Sequence, residues 1–382
     1  MSTVPSATAT PLTGPDFGSY PPGEVTWLLK DLSDVPLEDD LAARERRIQS
    51  GAAHYAESLP IEYQPGTEYQ ELFHDTLRDS ARRLAAAVAV VTETALAERH
   101  STPTLVSLAR AGTPVGVLMR RWLSYAHGLD APHYTISIVR DRGIDTVALD
   151  HIVARHDPAT VVFVDGWTGK GAIQRELTAA LDEYAAPSTG TGAGRPRLAD
   201  ELAVLADPGS CTTTFGTRDD FLIASACLNS TVSGLVSRTV LNADHIGPGD
   251  FHGAKFYRHL AAHDVSGLLL DCVTAEFGAV RDNLDHLIAV RDAGGREPTW
   301  SGWASVERIR ADYGLSSVNF VKPGVGETTR VLLRRVPWRI LVRADDLPEH
   351  LHIRLLAAER GVPVDVRDDL AYSCVGLIKE GQ

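Results

Sequence analysis

Apolar and polar positions along this chain repeat with two different periods, and the changes between them outline its elements. Residues 24–100 read as helical, first LEDDLAARERRIQSGAAHYAESL (37–59) and then YQELFHDTLRDSARRLAAAVAVVTETALAERH (69–100). The second segment places apolar residues at i, i+3 and i+4 and holds no Gly or Pro, which predicts one long helix. Beyond it come short β-branched runs: TLVSL (104–108), HYTISIV (133–139) and TVVFVD (160–165), the last apolar enough to be buried on both faces. ELAVLAD (201–207) is a further strand. A Gly-containing turn follows each of the first three, and after the first and third a helix follows, VLMRRWLSYAHGL (117–129) and AIQRELTAALDEYA (172–185). That alternation predicts an α/β domain with a parallel sheet and flanking helices.

Residues 186–197 (APSTGTGAGRPR) predict an exposed loop, and GAKFYRHLAAH (253–263) and AEFGAVRDNLDHLIAVRDA (275–293) predict helices. Near the end, RILVRAD (339–345) and VPVDVR (362–367) are strands enclosing the helix LPEHLHIRLLAAERG (347–361), a small α/β unit of its own. The expected division is a disordered tail at 1–17, a main domain at 18–300 and a C-terminal domain at 301–382.

Composition changes this picture in three ways. At 382 residues the chain is long for one core, so more than one domain is expected. No apolar run approaches a membrane span, and the first fifteen residues have no basic start or apolar stretch, so neither a membrane segment nor a secretory signal is predicted. The four cysteines, Cys211, Cys227, Cys272 and Cys374, form no CxxC pair, which argues for a reducing cytoplasm and against a structural zinc site. The net charge of −13 disfavours generic nucleic-acid binding. Residues 321–382, however, carry ten Lys and Arg against nine Asp and Glu, a net +1 on an otherwise acidic body.

The sharpest chemical motif is VVFVDGWTGKGA (161–172). A buried strand delivers Asp165 at its carboxyl end, and a loop with Gly166, Thr168, Gly169, Lys170 and Gly171 leads into a helix at Ala172. Ligands of open α/β sheets bind at such strand ends. Small residues let backbone N–H groups close on a phosphate, the helix start adds partial positive charge, and Lys170 adds a full one. It is not a Walker A loop, because two residues separate Gly166 from Gly169 and Lys170 precedes Gly. A strand–turn–helix without a ligand is the competing reading. Two other loops are similarly open: SLARAGT (107–113) is a plain strand–loop–helix connection or a binding loop, and RDRGID (140–145) a solvated loop or a source of cations. His259 and His263 are four apart with no third ligand evident and read as surface histidines.

Together these loops resemble the type I phosphoribosyltransferases. That resemblance implies a phosphoribosyl-pyrophosphate site made of Ser107, Arg110, Ala111, Gly112, Asp165, Gly166, Thr168, Gly169, Lys170, Gly171 and Ala172. Asp165 would hold ribose hydroxyls and the Mg²⁺ cofactor, and Arg140 and Arg142 would serve catalysis from a mobile loop. The pattern departs from the family's in having Gly166 at the second acidic position and Lys170 where Thr or Gly is common. Residues 18–380 further resemble a bacterial family encoded near tellurite-resistance and stress operons, described as a phosphoribosyltransferase plus a Pelota-like RNA-binding domain and often labelled StiP-type cysteine protease. GSYPPGEVTWLLKDL (18–32), RRIQSGAAHYAESLPIEYQP (46–65), ASACLNSTVSGLVSRTVLN (224–242) and GDFHGAKFYRHL (249–260) carry it. It implies Mg²⁺-dependent transfer to a base-like acceptor held by Asp207, Ser210, Asn229 and Ser230, and RNA contacts at Gly326, Glu327, Arg330 and Arg334, with Lys322 also on phosphate. A homo-oligomer is expected. The alternatives are a ligand-gated RNA-binding protein that senses phosphoribosyl pyrophosphate or a nucleotide, and a cysteine protease with Cys227 or Cys211 as nucleophile and His245 or His252 as base. Against the protease stands the packed-core reading of a thiol among small apolar neighbours.

Overall fold

The computed structural model describes residues 9–39, 54, 56–62, 66–186, 194–344 and 350–379. The predicted helix at 37–59 lies mostly outside them, as do most of the 186–197 loop and residues 1–8 of the expected tail. Residues 9–17 are not a free tail: Leu12 and Trp27 exchange two backbone hydrogen bonds, and Phe17 packs edge-on against Trp27.

In chain order the main elements are β1 (Thr26–Trp27), α1 (Thr67–Arg99), β2 (Thr104–Leu108), α2 (Gly112–His127), β3 (His133–Ile136), β4 (Val161–Trp167), α3 (Ala172–Ala185), β5 (Leu202–Ala206) and β6 (Phe215–Thr217). The six strands form one sheet in the order β1-β3-β2-β4-β5-β6, every neighbouring pair parallel. Alternation within each strand divides the core between the two faces. Leu105, Val162, Val164, Ala203 and Leu205 point to the side of α1 and α2. Val106, Val161, Phe163, Leu202 and Val204 meet Leu177 and Leu181 of α3 on the other. This is the period-2 pattern of strands buried on both faces.

The connection from β2 runs to β3 on one side, and that from β4 runs to β5 on the other. Their carboxyl ends therefore flank the crevice where ligands of such sheets bind. Gly112 is required there: a Cβ on it would lie 2.2 Å from the Val164 carbonyl oxygen, so only glycine lets α2 start this close to β4.

The C-terminal part opens with α4 (Ser301–Asp312), followed by β7 (Val321–Pro323), α5 (Val325–Arg334), β8 (Pro337–Val342), α6 (Leu351–Glu359), β9 (Val364–Val366) and β10 (Cys374–Ile378). Its sheet runs β7-β10-β8-β9, with β8 and β9 parallel and both β10 pairings antiparallel. One face of this sheet has its own apolar cluster, including Val306, Ile309, Leu341 and Leu377. On the other, Val325, Leu332, Ile340, Val342 and Cys374 belong to the same contiguous core as the first sheet. The two parts therefore share a core.

Three helix predictions need correction. In the 24–100 stretch read as helical, helix begins only at Thr67 among the described residues, and Thr26–Trp27, Lys30–Asp31, Glu38–Asp39 and Leu59–Pro60 are short strands. Within 253–263 only Arg258–His263 is helical, as a 3₁₀ helix, because Gly253 and Ala254 pair with Lys30 and Asp31 as a short strand. The stretch 275–293 is divided into Phe277–Arg281 and Leu284–Ala293, preceded by an unforeseen helix at Ser266–Ala275.

Candidate functional site: a cationic cleft at the domain junction

The loops after β2 and β4 meet the C-terminal part around a cavity of about 300 Å³. Arg110, Arg140 and Lys170 line it from the sheet side, and Lys322 and Arg330 from the C-terminal side. Asp165, Asn229 and Glu327 are among the other polar residues that line it. The α3 start forms part of the wall: Gly171 has φ 72° and the helix begins without a side-chain cap, so its first N–H groups lie at the cleft.

Electrostatics here is set by removal from water. Burial pulls the Lys170 ammonium down to about 7, and Lys322 and Arg140 push the same way while Glu327 opposes them. Lys322 is lowered as well, chiefly by burial, with Glu327 opposing and Arg335 and Arg140 adding to the fall. Asp165 is pushed up to about 7 by burial, partly offset by the Gly166 N–H that donates to it at 2.8 Å. Burial thus disfavours the charged form of all three groups, and an anion entering the cleft would favour the charged form of the two lysines.

The seam around the cleft is held by specific bonds. Lys170 donates to the Val318 carbonyl, and Tyr372 donates to the Gly169 carbonyl at 2.9 Å. Asp220, beyond the end of β6, reaches into the C-terminal part and accepts from the N–H groups of Val325 (2.9 Å) and Ser373 (2.8 Å). It thereby fills the N-terminus of α5, where Gly324 has φ 91°. Arg330 donates to the Ala226 carbonyl at 3.2 Å and pairs with Glu327 at 3.2 Å.

The structure gathers some expected site residues and diverts others. Arg110, Ala111, Asp165, Thr168, Gly169, Lys170, Gly171, Ala172, Arg140 and Asn229 reach the cleft, as do Glu327 and Arg330, whereas Gly326 packs 3.4 Å (from a Cβ position) against Ala226 beside it. Ser107 turns inward, donating to the Gly112 carbonyl (2.9 Å) and meeting His133 (2.8 Å), whose imidazole burial holds down to about 4. Gly166 is buried. Arg142 turns away to Glu57 at 3.6 Å. The expected mobile loop is a hairpin, Ile138–Val139 against Gly143–Ile144, pinned to α3 by Glu176, which accepts from Asp141 and Gly143.

The expected acceptor residues are also occupied. Asp207 is fully buried and accepts from Thr168, Cys211 and Thr212. Ser210 seats the start of α4, its Oγ accepting from the Thr299 N–H at 3.1 Å and its carbonyl from Trp300 at 2.8 Å. Ser230 donates to Glu62. The side chain of Arg334 lies outside the described residues. The contribution of Lys322 was legible as a charge in the tail, but its arrival opposite Lys170 was not, since it depends on docking of the second sheet.

Both thiols offered as nucleophiles are buried, Cys211 at 2% and Cys227 at 1% exposure. Burial and the neighbouring Asp207 push the Cys211 thiol up to about 12. Cys211 lies directly behind the cleft loop, since a Cβ on Gly171 would come within 2.8 Å of its sulfur. His252 has its Nδ1 2.9 Å from Ser137, and the carbonyl of His245 accepts from Lys30. Among the described residues no cluster of three His, Cys, Asp or Glu could hold a metal ion, and no helix is long and apolar enough to cross a membrane.

The class these features define is a mixed α/β protein with a six-stranded parallel sheet and a small C-terminal domain closing over its carboxyl edge. Residues 18–274 match the family model described as "Tellurite-like stress resistance cysteine protease StiP", and residues 300–380 match a PELOTA RNA binding domain. A relative in Acinetobacter baylyi, "Cysteine protease StiP", is 35% identical over 373 residues, covering 95% of this chain and 94% of that one. No solved structure matches. This chain belongs to the StiP family.

The comparisons overturn the phosphoribosyltransferase expectation, because both the family and the relative are named for a hydrolase and not for a pentosyl transferase. Phosphoribosyl pyrophosphate, a base acceptor and magnesium were expected on that reading and go with it. The geometry agrees at particular points: the Ser107, Arg142, Asp207, Ser210 and Ser230 side chains are engaged in the fold as described.

Proposed function

We propose that this StiP-family chain serves stress resistance as an RNA-binding protein that holds RNA phosphates in the cleft between its sheet and its C-terminal domain. One observation carries the reading: Arg110, Arg140, Lys170, Lys322 and Arg330 converge from both parts of the chain on a single cavity. The PELOTA match over 300–380 supports RNA as the polyanion. A net charge of −13 limits contacts to this local patch, so few phosphates should be neutralised and the salt slope should be shallow. Filter binding of the full chain to short RNA and to DNA of the same sequence, at two salt concentrations, tests it. Retention of RNA that weakens in a Lys170→Ala, Lys322→Ala double variant is the expected result. No retention at low salt, or unchanged binding in the double variant, refutes the reading.

A second reading, cysteine-dependent peptide hydrolysis, is favoured by the names of the family and the relative. Cys211 is its stronger candidate, since it sits behind the Gly171 loop, but it would need the loop to open and a base to lower its thiol from about 12. Hydrolysis of a denatured protein substrate that vanishes in Cys211→Ser or Cys227→Ser, with folding retained, would establish it. Hydrolysis unaffected by both would remove it.

A further inference from the structure

The wall of the cleft is a seam between two parts of the chain, and its charges are arranged awkwardly for a closed seam. Lys170 and Lys322 line the cavity from opposite sides together with Arg140, whose charge opposes that of both; Lys322 also opposes the charge of Lys170, and Arg335 that of Lys322. Against these stands Glu327, which is shared with Arg330, while Asp165 is pushed toward neutrality by burial. The seam is nevertheless closed by Asp220, Tyr372 and Lys170 through their bonds to Val325, Ser373, Gly169 and Val318. Close packing reinforces it: a Cβ on Gly302 would lie 2.2 Å from the Tyr372 hydroxyl and 2.7 Å from the Gly209 Cα. Like charges partly removed from water by burial repel more strongly than in bulk solvent.

Resting on the RNA reading of the cleft, we infer that ligand occupancy and seam closure are one coupled event: phosphate oxygens between Lys170 and Lys322 cancel the repulsion across the junction and tighten the Asp220 clamp. The coupling is reciprocal, so the clamp in turn raises affinity for the ligand. Asp220 is a positioning residue in this scheme and does not touch the RNA. It acts by holding β7 and the α5 start, and with them Lys322 and Arg330, against the loop after β4.

The Val325 and Ser373 amides report directly on the clamp, because each donates to a carboxylate in the other part of the chain. Hydrogen exchange at these two amides is measured in the full chain, with and without saturating short single-stranded RNA whose binding is followed in parallel. RNA should slow exchange at both by about tenfold, within the usual range of coupling between sites. Lys322→Arg keeps the charge and should keep the slowing. Lys322→Gln, with RNA raised until it is bound, should lose it. Asp220→Asn should speed exchange at the two amides without RNA and weaken RNA binding. RNA that binds while both amides exchange as before overturns the coupling and leaves the RNA reading intact. RNA that does not bind at all overturns the RNA reading, and the coupling with it. Should Lys322→Gln fail to fold, unchanged exchange on adding RNA to the native chain still refutes the coupling.

Discussion

Two helix starts meet at the domain junction, and they are treated in opposite ways. The N-terminus of α3, after Gly169-Lys170-Gly171, borders the cavity of about 300 Å³ flanked by cations. The N-terminus of α5, after Gly324, is filled from across the seam by the Asp220 carboxylate. Both present N–H groups that favour negative charge. The α5 start is fastened by a carboxylate bonded to it, whereas the α3 start has no side-chain cap among the described residues and opens on the cleft, where an anion from outside can reach it. The comparison explains why two similar glycine-led loops carry different duties, and why Asp220 remains buried although burial pushes its carboxyl up to about 6.

The largest effect should come from removing the partner that α5 belongs to. A fragment ending at residue 300 should fail to fold cooperatively, because Val325, Leu332 and Cys374 share one core with Phe221, Ala226 and Cys227. Calorimetry of the fragment giving the full chain's transition would show that the two parts are independent. Next, Asp220→Ala leaves two buried N–H groups without an acceptor, at a cost of about 2–4 kcal/mol in urea unfolding. A loss below about 0.5 kcal/mol would mean that water replaces the carboxylate there.

At the open helix start, Lys170→Ala should change ligand affinity instead of stability. Loss of one charge-assisted contact corresponds to about 1.5–3 kcal/mol, or roughly 10- to 100-fold in RNA affinity. A variant that binds as tightly as the native chain would erase the contrast between the two helix starts. Affinity should also depend on pH. Lys170, lowered to about 7 chiefly by burial, gains its charge as pH falls through 7, and Asp165, raised to about 7 by burial, loses its charge in the same window. The cleft therefore becomes more positive on going from pH 8 to pH 6, and RNA affinity should rise by about three- to tenfold. Asp165→Asn should flatten that rise; a native profile that is level or inverted contradicts the assignment. The smallest effect belongs to Arg142→Ala, whose exposed pair with Glu57 at 3.6 Å should contribute under about 0.5 kcal/mol. A substantial loss of binding in that variant would return Arg142 to the site.

Much of this arrangement is written locally. Alternation in VVFVD and LAVLA specifies strands buried on both faces, and the uninterrupted 3.6-residue period of 69–100 specifies α1. The Asp165–Ala172 run announces a loop at a strand end, because small residues and one lysine at that place leave a recognisable trace. Patterns with no regular period were misread: Gly253–Ala254 lies in a strand pairing with residues more than two hundred positions away, which no local window contains.

What the sequence determined by itself is therefore the strongly periodic elements, such as α1, β4 and β5, the parallel α/β core and the loop bearing Lys170, since each depends on neighbours a few positions apart. Tertiary structure alone decided which polar side chains face the cleft. Ser107, Asp207 and Ser210 occupy the expected loops yet are drawn inward to hydrogen-bond partners, because a buried hydroxyl or carboxylate must be satisfied wherever the packing places it. Lys322 and Asp220 reach the junction only when the second sheet docks on the first, and their roles follow from charges brought together out of water by distant parts of the chain.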